Sequence, residues 1–197
     1  VLIIPIWKRA DVHKCDNTDE ILIDNIANRF EEIVSLIQSH DKPLGRPSLG
    51  QYVSIHSLQA KLIPALLLTP GMEVALYHAG LCWGRAAGKV MIEKFDIKTV
   101  EDFVNRTKLV TQILGLQIPE LRAVQKDKDG EIKSITVRLY ECSDCYGLPK
   151  VNMPLCYFET GKWAGGMEIL LQKQMEGIEK KCSGLGDEFC EIEIKEK

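Results

Sequence analysis

Cys156, Cys182 and Cys190 fall within one stretch, PLCYFETGKWAGGMEILLQKQMEGIEKKCSGLGDEFCEIEI, that is too small to be a core of its own. Cys142 and Cys145 come just before it, so five of the chain's seven cysteines follow residue 140. Sulfur at such density can serve as a metal ligand, a disulfide, a nucleophile or a small apolar filler. An odd number of cysteines without a secretory signal favours thiols or metal ligands over disulfides. Cys142-Ser-Asp-Cys145 is a C-x-x-C pair at the end of a predicted strand. Dithiol cycling would want a helix N-terminus after the pair, to lower one thiol's pKa, whereas YGLPKVNMP reads as a loop. Cys182 and Cys190 bracket SGLGDEF, whose two glycines can bend the chain so that both thiolates converge on one ion. Cys156 supplies a third ligand and Glu179 a candidate fourth for a tetrahedral zinc site. Glu179 and Cys182 share a face if their segment is a helix; in a strand they point to opposite faces unless the strand bends locally. The alternative to metal is that these cysteines are buried small apolar residues.

Other chemistry is hard to find. His13, His40, His56 and His78 are scattered without ligand spacing, and no P-loop, G-x-S-x-G, H-E-x-x-H or G-x-G-x-x-G after a strand occurs. A net charge of −3 and the absence of aromatic residues interleaved with Lys and Arg argue against nucleic acid as a direct partner. The opening VLIIPIWKRADVHKC lacks the basic region and cleavage site of a signal peptide. LIPALLLTPGMEVALYHAGLCW, the longest apolar stretch, carries two prolines, a glutamate and a histidine, which suits a buried helical pair better than a membrane span. A cytoplasmic protein is expected.

The 197 residues, 45% hydrophobic, suffice for a core that folds without disulfide staples. Asn17 and Thr18 precede an amphipathic helix carrying Leu22, Ile26, Phe30, Ile33 and Ile37. Further helices are predicted from about Ile55 to Leu68 and from about Met72 to Lys94, separated by Thr69-Pro70-Gly71. Ala75, Ala79, Gly80, Gly84, Ala87 and Gly88 line the second of these with small residues, which permits a close helix approach. Thr99 caps another helix ending near Gly115. Beyond residue 118 the period changes to a β-hairpin around KDG, with Ile135, Val137 and Leu139 alternating against polar neighbours. A helix from about Thr160 to Lys173 and a closing strand with Ile192 and Ile194 complete an α+β pattern in one domain.

ECSDCYGLP, PLCYFETGKWAGGMEI and EKKCSGLGDEFCEIEI together resemble the C-terminal signature of the vinyl-4-reductase domain. The likeness is specific over roughly the last sixty residues and looser over the helical part, including ALYHAGLCWGRAAG. It extends to archaeal members described as predicted hydrocarbon-binding proteins. The resemblance implies N-terminal helices packed on a C-terminal antiparallel sheet, a fold shared with nitric-oxide-signalling and Golgi-transport domains. It implies a homodimer, with residues 1–50 as a helical extension and 51–197 as the domain. It also implies a pocket for a hydrophobic or aromatic small molecule and a structural zinc. Carried over by position, the zinc ligands fall on Cys156, Glu179, Cys182 and Cys190, in a bent strand. Cys142 and Cys145 are alternates, for instance joined with Cys182 and Cys190. Tyr77, Trp83 and Tyr140 are the aromatic candidates for the pocket. The chain holds neither an ATPase nor a DNA-binding domain, so the output of the phenol-sensing activators is not expected from these residues alone. Reduction of a tetrapyrrole vinyl group is the competing role, set behind binding because no hydride source is evident. A scaffold with a permanently filled pocket is a third.

Overall fold

The computed structural model describes residues 54–197. The expected helix beginning at Asn17 and the proposed extension over residues 1–50, with His13 and His40, lie outside them. Three helices come first: α1 (Ile55–Leu68), α2 (Met72–Phe95) and α3 (Val100–Ile113). A hairpin of β1 (Ile118–Lys126) and β2 (Ile132–Tyr140) follows, then α4 (Tyr157–Leu171), β3 (Met175–Lys181) and β4 (Cys190–Glu196). The strands form one antiparallel sheet in the order β1-β2-β4-β3. This is the α+β architecture expected from the sequence.

The local signals explain most boundaries. Thr99 caps α3, its hydroxyl accepting a bond from the Asp102 N–H at 3.1 Å. At the hairpin Asp127 Oδ1 accepts from the amides of Asp129 and Glu131, and Gly130 takes the left-handed conformation that the tight connection requires. In the centre of the sheet Ile135 faces Ile194, Val137 faces Ile192 and Leu139 faces Cys190, all nearly inaccessible to solvent. The acids and lysine alternating with them on β4 stay partly exposed, as a sheet with one wet face requires.

Helix α4 runs between this sheet and α2. It buries residues all round its circumference, as a helix covered on every side must. Its two buried acids are paired. Glu159 meets Lys162 at 2.5 Å and the Gln117 amide at 2.6 Å, while Glu168 meets Arg85 at 2.6 Å and the Met175 N–H at 3.1 Å. The small-residue face of α2 lies against α4 backbone to backbone. A Cβ added to Gly80 or Gly84 would collide with the carbonyl oxygens of Phe158 and Lys162. Gly161 and Gly165 answer from α4, where a Cβ would strike the carbonyls of Tyr77 and Leu81.

Candidate metal centre and ligand cavity

Four elements bring the late cysteines together. Cys142 and Cys145 sit in the turn after β2, where the amides of Cys145 and Tyr146 both bond to the Cys142 carbonyl. Gln59 of α1 holds that turn by donating to the carbonyls of Ser143 and Tyr146 at 3.1 and 3.0 Å. Cys156 occupies the N-cap position of α4, its carbonyl accepting from both the amide and the hydroxyl of Thr160. Cys182 ends β3, and its N–H donates to the Asp187 carboxylate at 2.9 Å, which bends the chain into the turn at Ser183–Leu185. Cys190 opens β4.

The segment carrying Glu179 is a strand, and it is bent. The pairing of β3 with β4 slips between Glu179 and Lys181, a bulge that places one extra residue opposite Ile192 and Glu191. Such a slip reverses the side-chain alternation, so Glu179 and Cys182 both reach the cluster three positions apart. Glu179 Oε2 accepts from the Cys156 N–H at 3.0 Å. Its other oxygen is buried without a hydrogen-bond partner.

Cys156 lies at the centre of the cluster, with its sulfur 3.6 Å from Cys142, 3.3 Å from Cys145, 3.9 Å from Cys182 and 3.5 Å from Cys190. All five cysteines are buried. Two fourfold sets have every ligand atom within 4.8 Å of the others: Cys156, Glu179, Cys182 and Cys190, and Cys142, Cys145, Cys156 and Cys190. Zinc bonds of about 2.3 Å to sulfur give tetrahedral edges near ~3.8 Å. The spacings around Cys156 bracket that value, and none approaches a disulfide. The donors therefore fit a divalent, thiophilic ion, and the unpartnered Glu179 oxygen is the kind of orphan that a cation satisfies. Burial, reinforced by the Cys182 sulfur, pushes the Glu179 carboxyl up to about 9. Contacts from Cys145, Cys156 and Cys190 hold the Cys142 thiol well below its usual range, so the cluster already favours anionic sulfur.

The aromatic candidates do not converge. Trp83 lines an apolar cavity between α2, α3 and α4 together with Met91, Phe103, Thr107 and Trp163. Tyr77 lies instead beside a cleft shared with Tyr157 and Glu179, its hydroxyl accepting from the Gly177 amide at 3.0 Å. Tyr140 bonds to Glu120 across the sheet and packs on Phe189. The residues that the sequence reading passed over are Thr107 and Trp163. Each carries a buried side-chain atom, Oγ1 and Nε1, without a hydrogen-bond partner. Trp163 packs edge-on against Phe103 at 6.3 Å. The cavity measures about 70 Å³. That is less than half of the ~150 Å³ in which a benzene-sized guest fits, so a ring could enter only if the lining gave way.

Among the described residues no helix is long and apolar enough to cross a membrane. Comparison with known proteins bears on the whole arrangement. An uncharacterized protein of Methanocaldococcus jannaschii is 28% identical over 165 residues, covering 84% of this chain and 87% of the relative. The phenol-responsive sensory domain of the transcription activator PoxR superposes with a TM-score of 0.59, at 14% identity, over 73% of this chain and 75% of that one. A vinyl-4-reductase family protein of Methanocaldococcus jannaschii gives 0.53 at 15% identity, over 93% and 98% of the two chains. The family model of the vinyl-4-reductase domain matches residues 135–196, a span that contains most of β2, all of α4, β3 and β4, Glu179 and all five clustered cysteines. The family read from the cysteine-bearing stretch is the one found: this chain carries a vinyl-4-reductase domain.

Proposed function

We propose that the chain is a regulatory or sensory domain that binds a hydrophobic or aromatic small molecule and is held together by a structural zinc. The observation that carries this reading is the apolar cavity whose lining includes the buried, unpartnered Trp163 Nε1 and Thr107 Oγ1. An indole N–H in apolar surroundings costs free energy until an acceptor reaches it. The ligand that suits this cavity has an apolar body and one oxygen, the chemistry of phenol, to which the sensory domain of similar fold responds. Residues 51–197 form the binding domain, with 1–50 as an extension, in a cytoplasmic homodimer.

Cys156, Glu179, Cys182 and Cys190 would hold the zinc, with Cys142 and Cys145 as alternates. Bound there, zinc ties the start of α4 to β3 and β4 without an open coordination position. Cys156 begins α4 and Trp163 lies two turns along it, about 10 Å away at the helical rise. The metal-bound end of α4 thus fixes the depth at which Trp163 meets a ligand.

Two measurements test the reading. Phenol and alkylphenols should raise the melting temperature of the purified protein, and Trp163→Phe, which keeps an aromatic ring but loses the donor, should weaken binding about tenfold. Equal affinity in parent and variant would remove Trp163 from the site; no response to any apolar ring, with no organic ligand retained in native mass spectra, would overturn the binding role. Sedimentation at equilibrium should give twice the mass of one chain, and a monomer at every concentration would refute the dimer.

A further inference from the structure

The two fourfold ligand sets could serve as alternatives for one ion. Their overlap has a particular form, however: they share two members, Cys156 and Cys190, and differ in the other two. Two tetrahedra that share two corners share an edge. We infer that the cluster is a binuclear centre, with two divalent thiophilic ions bridged by the thiolates of Cys156 and Cys190. One ion is completed by Cys142 and Cys145 and the other by Glu179 and Cys182. This rests on the metal reading above and extends it from one ion to two.

Three observations support two ions over one. The first is the shared edge. Cys156 and Cys190 stand 3.5 Å apart, closer than the 3.9 Å between Cys156 and Cys182. Two cations repel across a shared edge, which narrows the S–metal–S angle and draws the bridging sulfurs together. With metal–sulfur bonds of about 2.3 Å, that edge sets the ions roughly 3 Å apart, a separation thiolate bridges can span.

The second observation is the position of the C-x-x-C pair. If a single ion took the Glu179 set, Cys145 would remain as a buried thiol 3.3 and 3.2 Å from two of that ion's own ligands. Those distances lie inside a tetrahedral edge of about 3.8 Å, so Cys145 stands at ligand range of the bridging pair, and loading opens this side by roughly half an ångström. The turn that presents the pair is fastened from outside by Gln59, a buried side chain whose amide donates to two of its carbonyls.

The third is charge. Five thiolates and a carboxylate carry six negative charges, of which one divalent ion leaves four and two leave two. Two is the residue of an ordinary four-thiolate zinc site. The Glu179 oxygen without a partner lies in one half of the proposed centre, and the turn carrying Cys142 and Cys145 supplies the other.

The test is metal stoichiometry. Full-length protein stripped under reducing conditions is titrated with zinc, and bound metal is read by elemental analysis and native mass spectrometry. The same is done with cobalt(II), whose absorption and paramagnetic resonance report thiolate ligation and coupling between ions. Two equivalents per chain are expected, with the resonance of the first cobalt diminishing as the second binds beside it. Cys142→Ser/Cys145→Ser and Glu179→Gln/Cys182→Ser should each retain one equivalent. Saturation of the parent at one equivalent, with one retained in Cys142→Ser/Cys145→Ser, would overturn the binuclear centre and leave the single zinc at Glu179. Saturation at one that is lost in that variant would overturn both the second ion and the Glu179 assignment. The parent titration stands by itself should either variant fail to fold.

Discussion

Cys156→Ser is expected to yield protein without metal that melts about 10–20 °C below the parent. Its sulfur is common to both fourfold ligand sets and lies within 4 Å of four other cysteine sulfurs, so no complete set survives its loss. The size of the effect follows from what the site connects. The cluster joins the turn after β2, the start of α4, the end of β3 and the start of β4. A structural zinc binds with far more than ~5 kcal/mol, and a loss of even ~5 kcal/mol shifts the melting temperature of a chain this long by roughly 10–20 °C. Cys82→Ser, on α2 and outside either ligand set, should change neither metal content nor melting by a comparable amount. Chelation of the parent should reproduce the drop, and chelator should do nothing further to the variant. A Cys156→Ser protein that keeps its metal, or loses it and melts with the parent, would refute a structural role for the cluster.

How much of this was legible in the sequence depended on whether the determining interaction was local. α1, α2 and α3 were placed within a residue or two because Thr69-Pro70-Gly71 and the Thr99 cap are signals within one turn of the helices they bound. The start of α4 was not. It begins at Tyr157 and ends at Leu171, displaced toward the N-terminus from the predicted Thr160–Lys173, because Cys156 stands at the cap and no side chain bonds the first turn. Its anchorage comes from distant partners, Glu179 and the neighbouring sulfurs, which no local pattern reports.

The same distinction runs through the site. That Cys156, Glu179, Cys182 and Cys190 belong together followed from residue type and the family likeness. How Glu179 and Cys182 reach one point was undecidable, because the answer is a bulge set by the pairing of β3 with β4. Tyr140 and Trp163 show the converse. An aromatic residue in a strand and one in a helix weigh equally in a sequence, yet Tyr140 packs on Phe189 and bonds to Glu120 while Trp163 is enclosed between helices. Only the packing of α4 between α2 and the sheet separates them.

That packing yields the last expectation. Gly84→Ala should cost more than ~3 kcal/mol and is expected to leave the chain largely unfolded or aggregated at physiological temperature. In an exposed helix the same change stabilises by about 1 kcal/mol, because alanine is the better helix former. Here the sign reverses. The new methyl would overlap the Lys162 carbonyl oxygen and stand 2.8 Å from its carbon, and both are backbone atoms of a helix that is itself buried all round. No rotamer change relieves a clash with backbone, so α2 and α4 must separate. Separation would unseat Trp163 from Phe103 and open the cavity that the two helices share with α3. Gly88→Ala, one turn further along the same face, meets the Gly166 Cα at 3.2 Å and needs a shift of only a few tenths of an ångström. It should fold and cost far less. Urea denaturation of both variants beside the parent decides the matter: a wide gap between them supports contact of α2 and α4 through their glycines, and near-equal stability would show that this seam is not closed.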